Sequence, residues 1–161
     1  MNRPNAFTTL AEPSGLRLNF PVGVVAFALV LFDLSPAAQA VNPPPDGGYP
    51  NSNTAEGDSA LFNLTTGYFN TAIGFATLFR NTTGGGNTAN GFQALLSNTT
   101  GSGNTANGID ALYANTINDN NTATGGGALQ SNNGDNNTAN GFDALVLNNT
   151  GHDNVAEGLG A

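Results

Sequence analysis

The sequence predicts an all-β chain, a parallel β-solenoid (β-roll) of about six and a half 17-residue coils. Three observations predict it. A 17-residue unit recurs in phase from Asn53 onward, with the consensus N-T-A-x-G-x-x-A-L-x-x-N-T-T-G-x-x. No part of the unit keeps a helical apolar period for more than two turns. The over-used residues, Gly (22 in all), Asn and Thr, are poor helix formers that suit turns and strands. Seventeen residues are too few for a helical-hairpin repeat, the unit is too poor in leucine for a leucine-rich repeat, and its period is not that of collagen.

Residues 1–40 read as a secretory signal peptide. Arg3 and Arg17 precede an apolar run over residues 20–32 (FPVGVVAFALVLF), and Ala38-Gln39-Ala40 offers the small residues a signal peptidase accommodates. The run is too short to anchor in a bilayer, and Asp33 follows it directly. Cleavage after Ala40 leaves a mature chain with no membrane span, expected outside the cell or on a bacterial outer surface. Residues 41–52 (VNPPPDGGYPNS) read as a linker. Its three consecutive prolines favour a polyproline II path and Asp46-Gly47-Gly48 is turn chemistry, so little order is expected.

The repeat region, residues 53–161, starts its units at Asn53, Asn70, Asn87, Asn104, Asn121, Asn137 and Asn154. The unit at Asn121 has 16 residues; the other complete ones have 17. The seventh unit stops at Ala161, so the region reads as incomplete at its C-terminus. Position 1 is Asn in every unit, and stacked Asn side chains can hydrogen-bond from coil to coil. Position 2 is Thr, with Val155 in the last unit; both are β-branched and suit a strand. Position 3 is always Ala (Ala55, Ala72, Ala89, Ala106, Ala123, Ala139, Ala156), as expected of a tight inward site. Position 4 varies and is mostly polar, so it should face water. Position 5 is always Gly (Gly57, Gly74, Gly91, Gly108, Gly125, Gly141, Gly158), the mark of positive φ or close backbone approach at a corner.

Position 8 is Ala except for Thr77, and position 9 is Leu wherever a unit reaches it (Leu61, Leu78, Leu95, Leu112, Leu129, Leu145). The unit therefore offers two short strands, N-T-A-x and A-L-x-x-N, and a polar return loop, N-T-T-G-x-x. Stacked at about 4.8 Å per coil, the units make a rod of roughly 30 Å. Large apolar residues occupy position 6 (Phe75, Phe92, Ile109, Phe142) and position 10 (Phe62, Phe79, Leu96, Tyr113, Val146). They flank the Ala-Leu pair and cannot all enter one narrow interior. Some apolar surface must stay outside, and self-association as a trimer would bury it.

The charge excludes one partner class. Three Lys plus Arg against eleven Asp plus Glu give a net charge of −8, and the mature chain keeps only Arg80 as a base, so nucleic acid is not expected to bind. With no cysteine, thiolate metal sites and disulfides are out. His152, the only histidine, sits at a variable loop position beside Asp153 and reads as solvated loop. Asp58, Asp110, Asp119, Asp135, Asp143 and Asp153 are scattered over different positions, and Gly84-Gly85-Gly86-Asn87 lacks the Asp of a calcium-binding repeat. Gly125-Gly126-Gly127 has no following Lys and is no phosphate loop. The reading is of no catalytic residue, no cofactor and no metal.

Asn70 to Gly74 (N-T-A-I-G) and the N-T-A-N-G stretches at Asn87, Asn104 and Asn137 resemble the S-V-A-I-G-type head repeats of YadA-like trimeric autotransporter adhesins. The longer N-T-A-x-G-x-x-A-L pattern also resembles repeats in bacterial surface proteins and phage-tail-like fibres. The resemblance covers residues 53–161. It implies a left-handed parallel β-roll in a homotrimer, cell adhesion, and a host, matrix or surface ligand. The coiled-coil stalk and membrane anchor of that family have no counterpart in this sequence, so the resemblance is to a head-like module. The leading expectation is a non-enzymatic structural or adhesive rod that displays positions 4, 7 and 11. The alternative is an ice-binding solenoid that uses the Thr row at position 2. A solenoid carbohydrate lyase would need convergent charged side chains, which one Arg does not supply.

Overall fold

The computed structural model describes residues 49–161. The expected signal peptide and residues 41–48 of the linker lie outside the described residues. Every unit contributes one three-residue strand: β1 (Thr54–Glu56), β2 (Thr71–Ile73), β3 (Thr88–Asn90), β4 (Thr105–Asn107), β5 (Thr122–Thr124), β6 (Thr138–Asn140) and β7 (Val155–Glu157). They form one parallel sheet in sequence order, and each residue pairs with its own position in the next unit: Thr54 with Thr71, Ala55 with Ala72, Glu56 with Ile73, and so on to β7. This is the all-β parallel solenoid that the 17-residue period predicts.

The strand pattern follows from its three residues. Ala at the middle position points inward and is fully buried from Ala72 to Ala139, while Thr and the position-4 residue point outward. Leu78, Leu95, Leu112 and Leu129 complete the interior, with the Ala residues of position 8 beside them. Thr77 replaces one of those alanines and is equally buried; its hydroxyl donates to the Gly74 carbonyl at 2.9 Å, which satisfies the extra oxygen.

The second strand expected at A-L-x-x-N does not form. Positions 5 to 11 run as turns, and the Leu of position 9 has φ between 49° and 53° in all six units. A left-handed Leu costs about 1–2 kcal/mol. Full burial of a leucine side chain returns about 1.5–3 kcal/mol, so the interior site is still favourable. The turns are laddered between coils almost as the strands are. Leu78 N donates to Ala94 O at 3.1 Å and Arg80 N to Leu96 O at 3.1 Å in the following coil. Gly74 N donates to Glu56 O at 2.7 Å and Ala76 N to Asp58 O at 2.9 Å in the preceding one. The backbone on that side is thus satisfied without extended geometry.

The corner glycines answer two demands at once. Their φ values lie between 116° and 145°, a region closed to side chains. A Cβ on Gly91 would also lie 2.6 Å from Gly108 O, and one on Gly57 2.7 Å from Gly74 C.

Two buried Asn ladders run through the stack. In the first, at position 1, the Asn53 side-chain carbonyl accepts from both the backbone N–H (2.8 Å) and the side-chain amide (3.0 Å) of Asn70. The pattern continues through Asn87, Asn104, Asn121 and Asn137 to Asn154. The second ladder, at position 12, links Asn81, Asn98, Asn115, Asn132 and Asn148 at 2.8–3.2 Å. Both ladders converge on the carbonyl of position 15: Gly84 O accepts from Asn70 Nδ2 and Asn81 Nδ2 at 2.9 and 3.0 Å.

Tyr49 to Ser52, assigned to the linker by the sequence, cover the first coil. Pro50–Ser52 is a single 3-10 turn, Tyr49 N bonds Asn53 O at 3.1 Å, and Asn53 Nδ2 donates to Pro50 O at 2.6 Å. The expectation of little order fails there, because the first Asn of the ladder has no coil before it and this segment fills that place. Among the described residues no helix is long and apolar enough to cross a membrane.

Candidate functional site: apolar rows on the outside of the coils

The four invariant rows lie inside the stack or at its corners, so their chemistry is used in stacking. A surface for other molecules must come from the remaining positions. Position 6 follows the corner glycine and is turned outward. Phe75, Phe92, Ile109, Phe142 and Leu159 are all exposed there, and Phe75 and Phe92 stack face to face with centroids 5.3 Å apart. The repeat register holds the two rings one coil apart, close to the strand spacing.

Position 10 makes a second apolar row beyond the buried Leu. Phe62 is 65% exposed, while Phe79, Leu96, Tyr113 and Val146 are half-buried. Phe62 stacks on Phe79 at 5.3 Å with planes 9° apart. The sequence expectation that positions 6 and 10 leave apolar surface outside is met in both rows. Both rows break in the same coil, at Gly126 and Gln130; Phe142 leans over that gap, 3.3 Å from where a Gly126 side chain would begin.

The first coils add an aromatic corner. Tyr68 lies with its ring over Gly85 and meets Phe69 edge-on at 5.4 Å. With Asn51, Ser52 and Thr66 these two rings line an open hollow of about 450 Å³. The outer sheet face is different in kind, with Thr at position 2 and Glu, Ile, Asn or Thr at position 4. Among the seven described strands only β5 carries two threonines, Thr122 and Thr124, and Asn90 reaches Asn107 at 3.4 Å.

The ionisable groups are held locally. His152 Nδ1 lies 2.7 Å from Asp153 Oδ2, both side chains are exposed, and among the described residues no hydroxyl bonds the ring. That contact, with the side chain of Asn136, holds the Asp153 carboxyl below its ordinary range. Asp119 and Asp135, stacked at position 16, accept backbone N–H groups of the preceding coil: Ser102 N to Asp119 Oδ1 at 2.7 Å and Asp119 N to Asp135 Oδ1 at 2.8 Å. Their oxygens serve the backbone, as the Ser102 hydroxyl does for Gly85 N. No group of three or more His, Asp or Glu side chains gathers among the described residues.

The position-12 ladder is what the sequence reading missed. Asn81, Asn98, Asn115, Asn132 and Asn148 recur in every complete unit but the first, where Leu64 stands in their place, and that recurrence was the available signal. No protein-family model, no curated protein and no solved structure matches this chain.

Proposed function

We propose that this chain is a non-enzymatic extracellular repeat module, a structural or adhesive rod of a bacterial surface adhesin or fibre, exported by a cleaved signal peptide. The observation that carries the reading is the pair of apolar rows in register, Phe75-Phe92-Ile109 and Phe62-Phe79-Leu96-Tyr113, outside an interior that is already closed. Contiguous exposed apolar surface of this kind is the usual mark of an association face. The partner we assign to it is further copies of the chain, in the homotrimer that the resemblance to YadA-like heads implies. Of the variable positions 4, 7 and 11, positions 4 and 11 then face outward toward a surface ligand, while position 7, half-buried or buried in every coil from Ser59 to Asp143, is not displayed. Light scattering on the chain from Val41 onward tests this. A trimer is expected, and F92S together with I109S should give a folded monomer by circular dichroism. A wild-type chain that is folded and monomeric at high concentration overturns the assembly.

One observation favours a second reading. The parallel sheet holds Thr54, Thr71, Thr88, Thr105, Thr122 and Thr138 in a single row, each paired with the Thr of the next coil, as an ice-binding face would need. Thermal hysteresis separates the two readings. A clear hysteresis that is lost in T88K and T105K variants, and kept in F92S, would replace the adhesive module with an ice binder.

A further inference from the structure

Four Asn-Gly pairs lie in the described chain: Asn90-Gly91, Asn107-Gly108, Asn133-Gly134 and Asn140-Gly141. Such a pair is chemically labile. The glycine backbone nitrogen loses its proton and attacks the Asn side-chain carbonyl carbon. The bond from that carbon to the side-chain amide nitrogen breaks, and the nitrogen leaves as ammonia. Water then opens the resulting five-membered imide at either carbonyl, giving aspartate or isoaspartate. The reaction needs a glycine N–H that is free and a backbone that can let the two groups meet.

Three of the pairs are closed to it. Each of these glycines is a corner whose N–H is donated to the preceding coil: Gly91 to Ile73 O at 2.9 Å, Gly108 to Asn90 O at 2.9 Å and Gly141 to Thr124 O at 2.8 Å. Each of these asparagines ends a strand, β3, β4 or β6, so its peptide planes are fixed on both sides.

The fourth pair is different. Asn133 and Gly134 are neighbours only because the coil starting at Asn121 lacks position 14; in other coils Thr66, Thr83, Thr100 and Thr150 stand before that glycine. Asn133 is exposed and outside any strand; its own N–H donates to Asn148 O at 3.0 Å, and Gly134 beside it is buried, so what sets this pair apart is the unbonded glycine N–H and side-chain amide. Among the described residues, neither its side-chain amide nor the Gly134 N–H makes a hydrogen bond.

We propose that Asn133 is a site of spontaneous backbone modification in the folded protein, converting to isoaspartate and aspartate, while Asn90, Asn107 and Asn140 stay intact until their coils open. The location gives the conversion a consequence. Asn132, the residue before it, is in the second ladder and donates to Gly134 O at 2.7 Å across the labile pair. Isoaspartate lengthens the main chain by one carbon inside that short closure. It also adds a carboxylate to the groove that Asn133 lines together with Asp119 and Asp135.

Peptide mapping with isoaspartyl-methyltransferase labelling tests this on the full chain aged at mildly alkaline pH, folded or in denaturant. In the folded chain Asn133 should convert at least about ten-fold faster than the other three, whose reaction waits on local opening. In denaturant all four should convert at rates within a few-fold of one another. N133Q should remove the folded-state signal. Conversion of Asn90, Asn107 or Asn140 in the folded chain as fast as Asn133, or protection of Asn133 equal to theirs, overturns the proposal.

Discussion

The coil from Asn121 to Asn136 and its 17-residue neighbours differ by one residue, and the difference separates what stacking needs from what it tolerates. The short coil keeps every inward element. Thr122, Ala123 and Thr124 stay in register with both neighbours, Leu129 is fully buried, Gly125 turns the corner, and Asn121 and Asn132 stay in their ladders. What it loses is outside: the position-14 residue, and the apolar groups of positions 6 and 10, replaced by Gly126 and Gln130. One internal bond is rerouted as well. In the coil starting at Asn87, the Asn87 and Asn98 amides share Gly101 O at 2.8 and 2.9 Å. In the short coil only Asn132 reaches Gly134 O; Asn121 Nδ2 turns back to Asp119 O at 3.1 Å. The stack is thus specified by its inner wall and both ladders, and the outer wall is free to vary.

The largest test sits on adjacent glycines in that coil. Gly125 has φ of 129°, and a Cβ there would stand 2.6 Å from Gly141 C, a backbone atom that cannot yield. Gly126 has no positive φ, and its Cβ would meet the Phe142 ring edge at 3.3 Å, which a small rotation relieves, and Ile109 O at an ordinary 3.8 Å. G125A is expected to lose about 4 kcal/mol or more, and G126A less than about 1 kcal/mol. Urea unfolding of the two variants checks this, and similar midpoints would mean that the corner is not a closed contact.

A smaller effect distinguishes buried from exposed asparagine. Asn98→Ala removes its buried donations to Asn81 Oδ1 and Gly101 O and the acceptor of Asn115 Nδ2, and should lose about 1–3 kcal/mol. Asn107→Ala removes one 3.4 Å contact on the open sheet face and should stay within about 0.5 kcal/mol. Equal losses in thermal unfolding would show that the ladder adds nothing beyond its strand neighbours.

These contrasts also mark how far residue identity reaches. Ala at position 3, Gly at position 5 and Asn at position 1 were legible because each row admits a single side chain for a reason that stereochemistry supplies. The outward placement of positions 6 and 10 was legible from crowding alone. The left-handed Leu row was not, since leucine rarely adopts positive φ and an A-L pair reads as extended. The second ladder stayed hidden because Asn81, Asn98 and Asn115 stand before Thr-Thr or Thr-Ile, which reads as a polar loop. Their burial comes from the shared carbonyl at position 15, a meeting of residues eleven positions apart within the coil that no local pattern announces.

The finest test restores the missing residue. A threonine inserted between Asn133 and Gly134 gives the short coil the standard return loop. The neighbouring strands are already in register, so no strand contact has to change. Asn121 Nδ2 should regain the carbonyl of its own coil in place of Asp119 O, a net gain of up to about 1 kcal/mol. The same insertion separates Asn133 from Gly134 and should abolish isoaspartate formation there. A loss greater than about 2 kcal/mol in urea unfolding would mean that the neighbouring coils are shaped to a 16-residue closure, and the equivalence of long and short coils would fail. Stability kept together with conversion abolished would tie the lability of Asn133 to the missing residue and leave the stack itself unaffected.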